Sequence, residues 1–232
     1  MWNWRSCPIV ASCSSELERL VNDMDSIRLQ HGVDRLSCLL SADGKYRVDL
    51  LRKKIDQCFT ANVHHFQISW CKLIPIKITT FIWRAVMGKI PSAVALSYRG
   101  VTLDTCNCSS CIGGIEYVNH ILVECPYAKS VTKSILNWCG IDQIDFHNVE
   151  EITCFAANWG RCPKKRERLT AICYGMLWSI WRARNDRIFQ AKFITPNGVV
   201  DNIKALVYFW VKCRGECGFC NWEEWLSCPF SS

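Results

Sequence analysis

The chain has 232 residues, half of them hydrophobic, with 11 Trp, 17 Cys and a formal net charge of +7. This apolar mass excludes a disordered or low-complexity protein, because such chains lack the side chains that offset conformational entropy. The odd cysteine count and a start without an apolar h-region argue against a secreted, disulfide-linked domain, so we predict an intracellular, reducing compartment, nuclear or cytoplasmic. The longest apolar-rich run, 169–181, is shorter than a membrane span, and no membrane partner is expected.

Two helices are predicted in the first quarter of the chain. The first covers 14–30, behind serines that can cap it, and the second follows a turn at Asp43-Gly44 and a short extended piece. Their apolar positions recur at helical spacing and are Leu17, Leu20, Met24 and Ile27 in the first helix, and Val48, Leu51 and Ile55 in the second.

The central segment predicts a core-facing helix that ends at Gly88, a shorter helix from Ser92 to about Tyr98, and a third that begins at Pro126 and ends near Gly140. The stripe of the first helix is Ile78, Phe81, Ile82, Ala85 and Val86, and that of the third is Tyr127, Val131, Ile135 and Trp138.

The C-terminal part predicts a long helix over 164–189 and a final helix over 199–212, followed by an irregular tail rich in Cys and Trp. We interpret the apolar stripe of the long helix as core, and its members are Cys173, Leu177, Ile180, Trp181 and Ile188. The expected fold is mainly α, a small helical domain with a zinc-knuckle-like insert followed by a long-helix C-terminal region. The expected domains are an N-terminal helical arm over 1–43, a zinc-binding domain over 44–138 and a C-terminal helical region over 139–232.

The stretch CNCSSCIGGIEYVNHILVEC, from Cys106 to Cys125, has the spacing of a metal site. Cys108 and Cys111 form a C-x2-C pair, and His120 and Cys125 form a second pair at H-x4-C spacing. Zinc is bound by four nitrogen or sulfur donors in a tetrahedron, and a C-x2-C turn supplies two thiolates. The pattern predicts one structural zinc ion, because four protein ligands leave no position for water.

Two alternatives stay open from the sequence. Cys106 forms C-x-C with Cys108 and could replace it or join a disulfide, although C-x-C is a poor zinc chelator. All five residues could also pack without metal.

On an ideal α-helix His120 and Cys125 lie roughly 140° apart, so a break between them is expected, and Pro126 supplies a reason for one. Four tail cysteines, Cys213, Cys217, Cys220 and Cys228, are a weaker metal candidate.

Clustered positive charge suggests a surface that faces phosphates. From Arg161 to Arg187 there are eight Lys or Arg against Glu167 and Asp186. Such clusters are typical of nucleic-acid-binding surfaces, although an ordinary solvated helix face has the same composition. The candidate contacts are Arg52, Lys53, Lys54, Lys164, Lys165, Arg166 and Arg168.

Four segments, taken in order, resemble the zinc-binding region downstream of the polymerase in plant LINE-type, non-LTR reverse transcriptases. They are GKYRVDLLRKKI, WCKLIPIKITTFIWRAVMGKIPSAVALSYRGV, the C-x2-C-x8-H-x4-C-P pattern and LWSIWRARNDRIF. The resemblance covers most of the chain and is densest over 44–138. It implies that Cys108, Cys111, His120 and Cys125 are the zinc ligands, and it implies a retrotransposon-derived module associated with RNA or DNA.

No catalytic motif accompanies this pattern. The sequence has no Asp-Asp pair, no G-x4-G-K-[ST] loop, no H-E-x-x-H helix and no G-x-S-x-G elbow. A polymerase needs carboxylates around two metal ions, so we expect no RNA-directed DNA polymerase activity. We interpret the chain as a non-catalytic fragment of the parent polyprotein, or as a gene derived from it, without the polymerase and endonuclease portions. The alternative function is a protein-interaction or scaffold remnant that uses a Trp-rich surface.

Overall fold

The computed structural model describes residues 11–26, 37–60, 68–215 and 221–230. The chain divides into two compact units, Met1–His65 and Phe66–Ser232. Both units are helical, and the β pairing among these residues is an isolated antiparallel bridge between Asn107 and Ile115. The predicted mainly α fold with a cysteine-rich insert is therefore confirmed, while the predicted domain boundaries stay predictions.

The first unit contains α1 (Ala11–Ser26) and α2 (Val48–Thr60). Both predicted helices are present, and the predicted turn between them is closed by a hydrogen bond from the Gly44 N–H to the Ser41 carbonyl of 3.2 Å. The last predicted turn of the first helix, with Ile27, lies outside the described residues.

The second unit is built around one long helix, α7 (Pro163–Gln190). Every residue from 169 to 177 of this helix is buried, because other elements of the unit cover the helix on several sides. The other elements of this unit are α3 (Ile76–Val86), α4 (Ala93–Ser97), the π-turn (His120–Glu124), α5 (Pro126–Trp138), α6 (Val149–Asn158), α8 (Pro196–Arg214) and α9 (Trp222–Ser227). The long helix packs against α3, α5, α6, α8 and the π-turn.

The stripe predicted for the long helix is buried except at its end. Cys173, Leu177, Ile180 and Trp181 belong to the core, but Ile188 is 43% exposed. The prediction for Ile188 is wrong because the last turn of α7 runs past the packed part of the helix, where residues 188–190 are all exposed.

Helix α6 was not predicted from the sequence. It begins at a variant of the capping box, in which the side chain of the N-cap Asn148 accepts the Glu151 N–H and the Glu151 carboxylate accepts the N–H of His147, one residue before the cap. This reciprocal pair is a known helix-start signal, and here it precedes only a short apolar segment. Val149, Ile152 and Ala156 from this helix are buried in the core.

The tail is more ordered than its composition suggested. A capped helix, α9, occupies part of the segment predicted to be irregular, and Asn221 accepts the Glu224 N–H at its start. Trp225 is fully buried, and its Nε1–H donates to the Lys204 carbonyl at 2.9 Å. The Trp138 Nε1–H donates to the Leu226 carbonyl at 3.0 Å, so α9 is bound to α5 and α8 through tryptophan side chains.

Across the described ranges, no helix combines the length and apolar character that a membrane span needs.

Candidate metal centre

The C-x2-C pair lies in a tight loop that is closed by backbone hydrogen bonds. The Cys108 N–H donates to the Gly114 carbonyl at 2.7 Å, and the Glu116 N–H donates to the Cys106 carbonyl at 2.8 Å. These bonds frame the bridge between Asn107 and Ile115, so residues 106–116 form a small hairpin-like loop. Cys108 and Cys111 lie within this loop, where Cys108 is buried and Cys111 half-buried.

The second ligand pair is positioned by the π-turn. The Cys125 N–H donates to the His120 carbonyl at 2.8 Å, which is a hydrogen bond between residues five apart. Cys125 then adopts φ −56° and ψ 134°, and Pro126 begins α5. The expected break is present at Cys125, but the π-turn adds what the sequence did not predict. In a π-turn the hydrogen bond joins residues five apart, so such residues lie one above the other. The π-turn therefore brings His120 and Cys125 toward the same side of the segment.

The four predicted ligand atoms converge. Three sulfur atoms and one imidazole nitrogen, from Cys108, Cys111, His120 and Cys125, all lie within 4.8 Å of one another. The Cys108 and Cys125 sulfurs are 3.9 Å apart, and the Cys111 sulfur is 3.2 Å from His120 Nε2. A tetrahedral zinc with bonds of about 2.3 Å to sulfur separates two sulfurs by about 3.8 Å. The donor set and its spacing therefore fit zinc.

Gly114 leaves the space in which the ligands meet. A Cβ atom on this residue would lie 2.4 Å from His120 Cε1 and 2.8 Å from the Cys111 sulfur, distances that Cβ atoms do not adopt. Its neighbour Gly113 has φ +81°, a conformation that favours glycine. The two adjacent glycines thus have separate functions, since Gly113 turns the chain and Gly114 keeps the ligand cradle open.

The thiols of the two buried cysteines, Cys108 and Cys125, are hydrogen-bonded to each other. The hydrogen bond with the Cys125 thiol lowers the pKa of Cys108 to about 4, against the opposing effect of burial, and the Ser110 N–H contributes in the same direction. The same hydrogen bond, together with burial, raises the pKa of Cys125 above its ordinary value. Because zinc binds thiolates, metal binding would release protons from the cysteine thiols, and zinc affinity is expected to fall as the pH is lowered.

A buried ion pair anchors the hairpin to the rest of the unit. Arg184 of α7 donates from Nε to Glu116 Oε2 at 3.1 Å and from Nη2 to Glu116 Oε1. Glu116 Oε1 also accepts the Ala93 N–H at 2.9 Å, at the start of α4. Glu116 is 1% exposed and Arg184 is 6% exposed. One carboxylate thus links the loop of residues 106–116, which we call the metal loop, to α4 and to the central helix α7.

Arg187, one turn further along α7, holds the tip of the loop. Its Nη1 donates to the Ser109 carbonyl at 2.6 Å, and its guanidinium lies 4.1 Å from the centroid of the Phe193 ring. Arg184 and Arg187 are two of the cations that made 161–187 look like a basic surface. The structure assigns both of them contacts inside the fold.

Cys106, Cys213 and Cys228 are not part of this cluster. Cys106 is half-buried with a free thiol and is not among the four clustered residues. In the tail, Cys213 is exposed and Cys228 packs against the core, while Cys217 and Cys220 lie outside the described residues. Within the part of the chain that the structure describes, the residues close enough to one another to hold a metal ion are Cys108, Cys111, His120 and Cys125.

The predicted nucleic-acid contacts fall on two helices. Arg52, Lys53 and Lys54 are exposed on α2 in the first unit. The run 164–168 forms the first turns of α7 in the second unit. Within it Arg168 is half-buried and donates from Nη1 to the Pro229 carbonyl at 2.7 Å, so this side chain holds the tail. Whether these residues contact nucleic acid stays a prediction.

The positive field at the start of α7 is testable through Cys162, the residue before Pro163. Hydrogen bonding from the Lys165 and Lys164 N–H groups, together with their charges, lowers the pKa of this exposed thiol. Burial and the neighbouring Glu150 raise the pKa of Cys154, which is also exposed. Because the thiolate is the nucleophile, iodoacetamide at pH 7 is expected to label Cys162 before Cys154. Peptide mass mapping over time checks the order, and faster labelling of Cys154 contradicts it.

The comparison with known proteins gives one result that bears on this site. Residues 49–131 match the family model described as zinc-binding in reverse transcriptase, and all four clustered residues lie inside that range. No curated protein and no solved structure matches the chain. The matched family model and the cluster of three cysteines and one histidine together support one zinc ion. The match confirms the zinc-binding part of the resemblance, while its LINE-type and plant character stays a prediction.

Proposed function

We propose that the chain is a non-catalytic zinc-binding module of a plant LINE-type reverse transcriptase polyprotein and that it associates with nucleic acid. The observation that carries the proposal is the four-ligand cluster, in which Cys108, Cys111, His120 and Cys125 converge inside the matched region. Four protein donors fill a tetrahedral shell, so zinc held in this way supplies folding energy and no bound water for chemistry.

The second unit also presents cations along α7. Arg161, Lys164, Lys165 and Arg182 are exposed on or before α7, and Arg166 is half-buried. With a net charge of +7, the chain attracts a polyanion, and phosphate contacts of this kind give affinity without sequence preference. A zinc-stabilised shape with exposed cations supports binding, whereas the chemistry of polymerisation has no candidate residues in the sequence.

The proposal is tested by fluorescence anisotropy with labelled RNA and DNA between about 50 and about 200 mM salt. The wild-type chain is expected to bind, and the logarithm of its affinity falls linearly with the logarithm of salt concentration. Lys164→Gln, Lys165→Gln and Arg166→Gln together are expected to reduce that slope by about 2 for single strands, at about 0.7 for each lost contact. Arg168 is left unchanged because it holds Pro229.

A second variant carries Arg52→Gln, Lys53→Gln and Lys54→Gln and tests the α2 run in the same way. Absence of wild-type binding at the lowest salt contradicts nucleic-acid association. A slope that neither variant changes contradicts the assignment of these two runs but leaves the association itself standing. Primer extension by this chain alone is expected to give no product, and extension would contradict the non-catalytic assignment.

Protein interaction is a second candidate function because α3 exposes an apolar stripe. Ile76 and Trp83 on the helix and Met87, which directly follows it, recur at helical spacing and have exposed fractions of 73%, 52% and 42%. Trp70 precedes the helix and is 71% exposed. In the Trp-rich tail, Trp225 is fully buried in the core and Trp222 is 40% exposed. Binding of a hydrophobic dye that Trp83→Ser reduces would support this function, and no dye binding by the wild type would contradict it.

A further inference from the structure

An open groove lies between the C-terminal end of α3, helix α4 and the segment before the π-turn. Its volume is about 490 Å³. Ala85 and Val118 are buried lining residues, and one side is formed by residues 117–119, directly before the metal-cluster residue His120. The groove therefore shares a wall with the metal centre.

Three cations gather at one edge of this groove. Arg84, Lys89 and Arg99 are all exposed, and the sequence from Arg84 to Arg99 contains no acidic residue. The Nη2 groups of Arg84 and Arg99 each donate to the Lys89 carbonyl at 3.3 Å. A guanidinium has five N–H donors, so this contact orients each arginine and leaves further donors for a ligand. An edge of this kind attracts phosphate groups.

Aromatic side chains accompany the cations. Tyr98, which lines the groove, is 88% exposed and presents its ring to solvent. On the opposite wall the Tyr117 hydroxyl donates to the Glu124 carboxylate, and its ring centroid lies 5.8 Å from that of His120. Tyr117 is thus held against the metal centre, while the exposed ring of Tyr98 is available to a planar ligand.

We propose that this groove binds single-stranded nucleic acid, with phosphates beside Arg84, Lys89 and Arg99 and an unpaired base stacked on Tyr98. Basic grooves with exposed aromatic rings bind single strands in this way, and a paired base in a duplex does not offer its face. The inference rests on the proposed function, because it names the surface and the form of nucleic acid for that association. It differs from the basic runs of α2 and α7 in its residues and in requiring a free base.

The test measures anisotropy of short fluorescein-labelled oligo(dT) and oligo(rU), with a duplex of equal length and a polyglutamate peptide as competitors. Tyr98→Ala is expected to weaken binding of the single strands about tenfold, as loss of one stacked base does. Tyr98→Phe keeps the ring and is expected to bind like the wild type. Combined replacement of Arg84, Lys89 and Arg99 by Gln is expected to reduce the salt slope by about 2.

The matched control replaces three other exposed lysines, Lys129, Lys133 and Lys192, by Gln and removes the same charge. The zinc content and the melting temperature of each variant are measured as well, to check that the module remains folded. A groove variant that binds no more weakly than this control overturns the proposal, as does a Tyr98→Ala variant that binds like the wild type. If these variants bind normally while the α7 variant is impaired, the association stands and the groove assignment fails. Preference for the duplex, or equal competition by polyglutamate, also overturns the proposal.

Discussion

Cys111→Ser is expected to lower the zinc content of the purified chain from one ion to none and to destabilise the second unit. A serine hydroxyl remains protonated at neutral pH and is a poor replacement for a thiolate ligand. The loss also leaves Cys108 and Cys125 buried beside an incomplete site. Structural zinc contributes about 10–16 kcal/mol in zinc-finger peptides at pH 7, so loss of one ligand is among the largest effects available to a single substitution.

Metal analysis by plasma mass spectrometry and thermal melts followed by circular dichroism measure both effects. Cys106→Ser is the matched control, because it makes the same change two residues before Cys108 and outside the cluster. This control is expected to retain one zinc and the wild-type melting temperature. The reverse pattern, with zinc lost from Cys106→Ser and kept by Cys111→Ser, would show that the ligand set is wrong.

Arg184→Met is expected to reduce the free energy of unfolding by about 3–5 kcal/mol, because it leaves the Glu116 carboxylate buried without its cation. Glu116→Gln keeps an oxygen for the Ala93 N–H and is expected to cost less than Arg184→Met. Urea denaturation at neutral pH with zinc present measures the difference. The double variant is expected to be less destabilised than the sum of the two single variants, since the partners act on each other.

The exposed pair of Arg47 and Asp49, 3.1 Å apart in the first unit, provides the control. Arg47→Met removes the same kind of group from a pair whose side chains are half exposed, and the expected loss is about 0–1 kcal/mol. Equal effects of Arg184→Met and Arg47→Met would contradict an anchoring function for Glu116. Loss of zinc from Arg184→Met would show in addition that the anchor supports the metal loop.

The elements that sequence reasoning located are those with local signals. Pro126 at the start of α5 and the stripe of α3 need only a few neighbouring residues to be recognised, and the cysteine spacing indicated the cluster. Helix α6 had an equally local signal, the pair Asn148 and Glu151, but its short apolar segment gave little periodicity. Its position became clear only from the core that it covers.

The remaining features depend on contacts between distant parts of the chain. Glu116 and Arg184 are 68 residues apart, and no spacing rule connects them. Read as sequence, Arg184 and Arg187 are two charges in a basic stretch, whereas in the structure both secure the metal loop. The groove likewise combines α3, α4 and the segment before His120, so its cations could not be grouped before the fold was known.

The π-turn sets a one-sided limit on how the length of this segment can vary. A π-turn is an α-helical turn with one residue added. Deleting one residue between His120 and Cys125 would leave them four apart in an ordinary α-turn, where such residues share a face. Adding a residue would carry Cys125 around the helix and away from the other donors. A shorter natural variant could therefore keep its metal, whereas a longer one would need a different fourth ligand.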